Sequence, residues 1–275
     1  MTDKIGLVGL DLDGTLLNSS HEISSRNKAA IEAAIAKGCM VIPATGRPVL
    51  GIPKEFLEIA GVDYAVTANG ASVIDVKSKK IILKYWLTQQ QVLQALESAK
   101  GLYRVFDVFI NGVGYSQADH LECAEEWAPK GMAQYMRKSR KPVPNMEQFI
   151  LEQAEFEKCT MFFENDEKRA AARKIIEELG MFEAVMSTEN NLELSAKGVH
   201  KGYALLGLAE QLGLQPSQVM ACGDSENDRE MLKSVGVPVA MGNAPQDIKA
   251  LACWVTDTND QDGVAKAIEH FVLDQ

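Results

Sequence analysis

The chain has 275 residues, enough for one large or two medium domains, with 46% hydrophobic and 24% charged side chains. Its 28 Lys and Arg stand against 38 Asp and Glu, a net charge of −10 that argues against nonspecific binding to nucleic acid or to an anionic membrane. No apolar run approaches the roughly 20 residues that span a bilayer. Acids interrupt the N-terminal apolar run, so no signal-peptide pattern forms. Five scattered cysteines without CxxC spacing fit reduced thiols in a cytoplasmic protein, and four equally scattered histidines do not make a zinc site.

The first element is a buried strand from Ile5 to Leu10 that runs into Asp11-Leu12-Asp13-Gly14-Thr15. Two carboxylates two residues apart share a direction at the tip of a strand. They repel one another and are costly to desolvate without a cation, so a metal or catalytic role is their natural explanation. Ser24 and Ser25 can cap a helix that carries Ile31, Ala34 and Ile35 on one face and stops at Gly38. Cys39 to Pro43 is predicted as a short buried strand, ending in Ala44-Thr45-Gly46-Arg47. Pro53 opens a helix through Phe56, Leu57 and Ile59 to Gly61. Tyr64 to Thr67 is the third strand, leading to Ala68-Asn69-Gly70-Ala71. This βαβαβ rhythm predicts a parallel sheet with right-handed crossovers. Ser72 to Val76 and Lys80 to Lys84 read as a hairpin.

From Tyr85 to about Met186 the texture changes, which predicts an inserted α/β domain. Thr88 and Gln91 have capping-box spacing. Val105 to Ile110 is a strand followed by an Asn111-Gly112 turn, and residues 120–145 carry no clear pattern. Lys158 to Phe163 is a strand candidate, Asp166 to Leu179 an amphipathic helix, and Phe182 to Ser187 and Leu192 to Ser195 further strands. The first rhythm returns near Gly198. Lys201 to Leu212 is a helix, and Val219 to Cys222 is a strand that ends in Gly223-Asp224-Ser225-Glu226-Asn227-Asp228. The predicted domains are therefore a core of residues 1–84 and 187–275 and an insert of residues 85–186.

Three strand ends carry polar clusters, and in open α/β sheets ligands bind beyond the carboxyl ends of the strands. Asp11, Asp13 and Asp224 offer hard oxygen ligands suited to Mg2+. The Thr45 hydroxyl, nearby backbone N–H groups and the Lys201 ammonium are donors suited to a phosphoryl group. With its repulsion cancelled, a carboxylate can attack phosphorus, and a second carboxylate can move the protons. Arg47 is open between a substrate contact and a structural ion pair.

The segments Asp11-Leu-Asp13-Gly-Thr15, Thr45-Gly46-Arg47, Lys201-Gly202 and Gly223-Asp224-Ser-Glu-Asn227-Asp228 resemble the haloacid dehalogenase-like hydrolases, specifically their Cof-type sugar-phosphatase branch. Met241-Gly-Asn243-Ala244 and Asp262-Gly263-Val264 also fit that branch. The resemblance implies a Rossmann-like three-layer core with a mainly parallel sheet, plus an inserted α/β cap domain of the C2 type. It implies Asp11 as nucleophile and Asp13 as general acid/base. Leu12, Thr45, Gly46, Arg47, Lys201 and Asn227 would contact substrate or phosphate. Mg2+ would be held by Asp11, Asp13 (through its backbone carbonyl) and Asp224, with Asp228 either in the metal shell or orienting Lys201. The expected reaction is Mg2+-dependent hydrolysis of a small phosphorylated metabolite, a sugar phosphate, through an aspartyl-phosphate. The alternatives are a phosphomutase of the same superfamily and a phospho-aspartate signalling module. The branch often has Asn or Asp before its lysine, where this chain has His200.

Overall fold

The computed structural model describes residues 4–129 and 131–274. Its strands, in chain order, begin with β1 (Leu7–Leu10), β2 (Met40–Pro43), β3 (Tyr64–Thr67), β4 (Ser72–Asp75) and β5 (Ile81–Lys84). They continue with β6 (Leu87–Thr88), β7 (Val105–Ile110), β8 (Val113–Gln117), β9 (Arg140–Val143), β10 (Glu155–Phe156), β11 (Lys158–Phe162), β12 (Phe182–Val185) and β13 (Asn191–Ala196). The last are β14 (Val219–Gly223), β15 (Val237–Ala240) and β16 (Trp254–Val255). Two compact units divide the chain. The first comprises the residues up to Gly46, Ile52–Lys84 and those from His200 onward; the second comprises Arg47–Gly51 and Tyr85–Val199.

The first unit is built on a parallel sheet in the order β16-β15-β14-β1-β2. β1 lies between two partners and every residue in it is buried, as expected for a strand covered on both faces. Helix Ser25–Ala36 starts at Ser24, whose hydroxyl accepts the Asn27 N–H. Asn27 is buried and bonded at both ends of its amide. Its Oδ1 accepts the Ala265 N–H at 2.9 Å and its Nδ2 donates to the Leu16 carbonyl, which ties this helix to the packed helix Gly263–Ile268. Helix Lys201–Gln211 packs against helix Arg229–Ser234.

Two local expectations change. β3 enters a three-stranded antiparallel sheet, β3-β4-β5, and touches the parallel sheet through one Ala44–Val66 bridge. Val66 is paired on both sides, with Val73 of the hairpin on one edge and with Ala44 just past β2 on the other. The helix expected from Pro53 to Gly61 is a single turn, Lys54–Leu57.

The second unit holds a six-stranded sheet, β12-β13-β11-β7-β8-β9, with a separate β10–β6 pair. One face is apolar: Val108, Cys159, Met161, Leu192 and Leu194 pack with Val92 and Leu96 of helix Gln89–Ser98 and Ile176 of helix Asp166–Glu178. The unit runs to Val199 rather than to the 186 expected, because β13 lies between β11 and β12 and is antiparallel to both. The stretch of residues 120–145 that sequence patterning left open holds short helices and the edge strand β9. Buried pairs Arg140–Asp107 and Lys158–Glu193, each at 2.8 Å, lie within this unit. Among the described residues no helix is long and apolar enough to cross a membrane.

Candidate active site

The parallel strands β1, β2 and β14 end at one edge of their sheet, and each delivers one polar segment there. Asp11 follows β1 directly, and its N–H donates to the Cys222 carbonyl of β14 at 3.1 Å. Thr45 follows β2 by two residues and its N–H bonds the Val66 carbonyl at 3.0 Å. Asp224 follows β14 directly. The shared strand direction is what gathers these distant segments.

At that edge Asp11, Asp224 and Asp228 place carboxylate oxygens within 4.8 Å of one another. Lys201 sits among them, fully buried at the first position of its helix. Its Nζ donates to Asp11 Oδ1 and to Asp228 Oδ1, both at 2.7 Å. A cation is unfavourable at a helix N-terminus, so this placement depends on the two carboxylates. They hold the Lys201 pKa above its ordinary value against burial, which pulls the other way.

The acids are short of positive charge. Burial raises the Asp11 pKa well above the usual carboxylate range, Asp228 adds to this, and Lys201 opposes it. Asp224 is pushed up to about 7, first by burial and next by Asp228, while the Thr15 hydrogen bond works against the rise. Three carboxylates share one ammonium, and every donor atom is a hard oxygen. That set fits a divalent cation of the Mg2+ type.

Asp228 is committed to protein partners. Its Oδ1 takes Lys201, and its Oδ2 accepts the N–H groups of Asp224 and Ser225 at 3.0 and 3.1 Å. It anchors the lysine and shapes the Asp224 turn. Thr15 Oγ1 donates to Asp224 Oδ1 at 2.7 Å, which fixes that carboxylate from the β1 side. Gly14 has φ +82°, and a Cβ there would lie 2.4 Å from Asp224 Oδ2, so glycine is needed both for the turn and for the space.

The other residues singled out in the sequence fall as follows. Asp13 is exposed, and its charge is felt by both Asp11 and Asp224. The Leu12 side chain is fully buried, so only its backbone is available for a ligand, and its carbonyl already accepts the N–H groups of Thr15 and Leu17. Thr45 is buried. Asn227 accepts the Ser225 hydroxyl at 2.7 Å. Arg47 belongs to the second unit; it donates to the Gly51 carbonyl at 2.7 Å and lies 5.8 Å from the Tyr135 ring centre.

Several supports have no role that the sequence assigns. Thr15, at the end of the Asp11–Thr15 segment, steadies Asp224 through its hydroxyl. Asn243 Nδ2 bonds the Gly14 carbonyl at 2.8 Å, Asn259 N donates to Asn243 Oδ1, and Asn259 Nδ2 bonds the Leu17 carbonyl. These two asparagines brace the Gly14–Leu17 loop from more than 200 residues away along the chain. His200 caps the lysine helix, its Nδ1 accepting the Tyr203 N–H at 3.2 Å.

A parallel α/β core with a buried lysine-carboxylate group at its strand ends suits a phosphoryl-transfer site. Residues 8–268 match the family model described as haloacid dehalogenase-like hydrolase, and the chain belongs to that family. It is a phosphoric monoester hydrolase of the Cof-type branch, with a mainly parallel core and a cap domain. It is similar to the Bacillus subtilis 5-amino-6-(5-phospho-D-ribitylamino)uracil phosphatase YcsE, 32% identical over 98% of this chain and 96% of that protein. The solved structure of a haloacid dehalogenase-like hydrolase from B. subtilis superposes with a TM-score of 0.82 at 29% identity, covering 98% of this chain and 100% of that one. A HAD subclass IIB sugar phosphatase superposes with a TM-score of 0.81 at 25% identity, covering 96% and 98% of the two chains.

Proposed function

We propose that this enzyme hydrolyses a small sugar or polyol phosphate in a Mg2+-dependent reaction through an aspartyl-phosphate on Asp11. The observation that carries the reading is the buried Lys201, 2.7 Å from both Asp11 and Asp228, with Asp224 alongside. Asp11 is thereby a carboxylate with one face held by a cation and its chain direction fixed by the end of β1. The names of the relatives, a phosphoribityl compound phosphatase and a sugar phosphatase, support the substrate class.

In this reading Asp11 attacks phosphorus, and the bond from phosphorus to the substrate's leaving oxygen breaks. Asp13 gives its proton to that oxygen. Asp13 then takes a proton from water, the water oxygen attacks the same phosphorus, and the bond to Asp11 breaks to release inorganic phosphate. Thr45, the backbone of Leu12 and Gly46, Lys201 and Asn227 hold the phosphoryl oxygens. Asp11, Asp224 and the Asp13 backbone carbonyl would hold Mg2+, with Asp228 holding the lysine beside them. The ion, when bound, supplies charge neutralisation between the carboxylates and the phosphoryl oxygens.

The test is a panel of phosphorylated sugars and polyols, assayed for phosphate release with and without Mg2+, for the wild type and Asp11→Asn. The wild type should turn over only with the cation, and acid quenching should trap a phosphorylated protein. Asp11→Asn should lose roughly 1,000-fold or more in turnover and show no trapped phosphoprotein. A variant that keeps its turnover would remove Asp11 as nucleophile.

A further inference from the structure

The segment Ala68-Asn69-Gly70 follows β3 and has no part in the reaction as described above. Its backbone is unusual. Ala68 and Asn69 both sit in the left-handed region, at φ +50° and +57°, and both are buried. Left-handed φ is costly for a residue with a Cβ such as Ala68, while asparagine adopts it more readily. Consecutive residues of this kind persist only where the surroundings over-determine them, and such strain gathers at functional sites.

The surroundings are the three segments that would handle phosphate. The Asn69 N–H donates to the Thr45 carbonyl at 3.0 Å. Its side-chain Oδ1 accepts Asn227 Nδ2 at 3.5 Å, a long hydrogen bond that reaches across 158 positions of sequence. Gly70, at φ +97°, lies flat against the start of the lysine helix. A Cβ on it would stand 2.3 Å from the His200 carbonyl oxygen and 3.1 Å from the Lys201 nitrogen. One three-residue turn thus touches the Thr45 loop through its backbone, Asn227 through a side chain, and the lysine helix through the absence of one. It touches none of the carboxylates through these contacts.

We propose that the turn Ala68–Gly70 sets the spacing of the phosphate-binding groups, and that Asn69 is the positioning residue that ties Asn227 to the Thr45 loop. This rests on the phosphatase reading, because it takes Thr45, Lys201 and Asn227 as the phosphate-handling groups. The turn governs how well phosphate is held rather than how the metal is held.

Asn69→Gly tests the side chain while keeping a residue that accepts positive φ without strain. Inorganic phosphate affinity in the presence of Mg2+ is measured by calorimetry, which needs no turnover. Asn69→Gly should weaken it by about tenfold, with KM for a phosphoester rising by a similar factor, kcat changing less, and the Mg2+ midpoint unmoved. Asn227→Ala should weaken phosphate binding too, and the double variant should be no worse than about the poorer single one, because the two amides act as a pair. Wild-type phosphate affinity in Asn69→Gly would overturn the proposal, as would strictly additive effects in the double variant. A shift in the Mg2+ midpoint equal to the loss in phosphate affinity would also overturn it, showing a general collapse of the site. A wild type that binds phosphate but releases none from any ester would sink the proposed reaction and leave this test standing.

Discussion

Asp228 illustrates what one carboxylate does when both its oxygens are engaged by protein. Oδ1 accepts from Lys201 and Oδ2 from two backbone N–H groups, so an amide in its place keeps the shape but loses the charge and sets an NH2 donor against a donor. Asp228→Asn should lower stability by about 2–4 kcal/mol, since Lys201 then loses one of its two buried counter-charges. It should also reduce kcat/KM by tenfold or more. Denaturant titration and steady-state kinetics measure both, and a variant unchanged in both would deny Asp228 its anchoring role. Asp224 sets a pH dependence. Its carboxyl is pushed up to about 7 by burial and by Asp228. Between about pH 4 and 7 the folded, metal-free protein therefore holds a proton that the unfolded chain has released, and stability falls as pH rises through that window. A divalent cation competes with that proton. Added MgCl2 should raise Tm more at pH 7.5 than at pH 5.5; equal shifts, or a larger one at the lower pH, would contradict the assignment.

At the scale of elements, the site depends on how closely two helices approach. Gly202 is the second residue of the lysine helix, and a Cβ there would stand 2.7 Å from Met231 Cα and 3.1 Å from the Glu230 carbonyl oxygen. Both neighbours are backbone, so they cannot swing aside. Gly202→Ala gains about 1 kcal/mol of helix propensity. It should nonetheless destabilise the protein by about 1–3 kcal/mol through overpacking. The Lys201–Asp228 pair spans the same contact, so activity should fall as well. Thermal melts and kinetics check this, and a variant more stable than wild type would show that the helices can separate freely. Much at this scale was legible in the sequence. Ser24 and the Thr88/Gln91 box cap their helices as read, because capping is a local hydrogen-bond exchange between near neighbours. Residues 120–145 were not legible: their helices are 7 residues or shorter, too brief to show a periodic face, and β9 is an edge strand in which lysine and proline interrupt the pattern.

Over the whole molecule, the cysteines report which parts of the chain stay closed to solvent. Cys39, Cys159 and Cys222 are buried, and burial pushes all three thiols up, Cys39 to about 12. A raised thiol pKa leaves little thiolate at pH 8, and the thiolate is the reactive form. Cys123 is half-buried and Cys253 is exposed; burial raises the Cys253 thiol too, so its fast reaction rests on its access to solvent. Titration of the native protein with a thiol reagent at pH 8 should therefore count two fast cysteines and the denatured chain five. Rapid labelling of all five without denaturant would show that the strands β2, β11 and β14 and their flanks open readily.

The sequence by itself displayed the residues on offer: acids following two buried strands and a lysine at the start of a helix. Those facts follow from residue type and short-range periodicity, which a linear chain displays. Tertiary structure decided how the groups divide the work. It turned Asp228 toward Lys201 and the Asp224 turn, carried Arg47 into the second unit, placed β13 between β11 and β12, and set Asn69, Asn243 and Asn259 against loops far away in the chain. Each of these is a contact between residues distant in sequence. Its energy depends on distance and burial in three dimensions, and the order of the residues does not contain those.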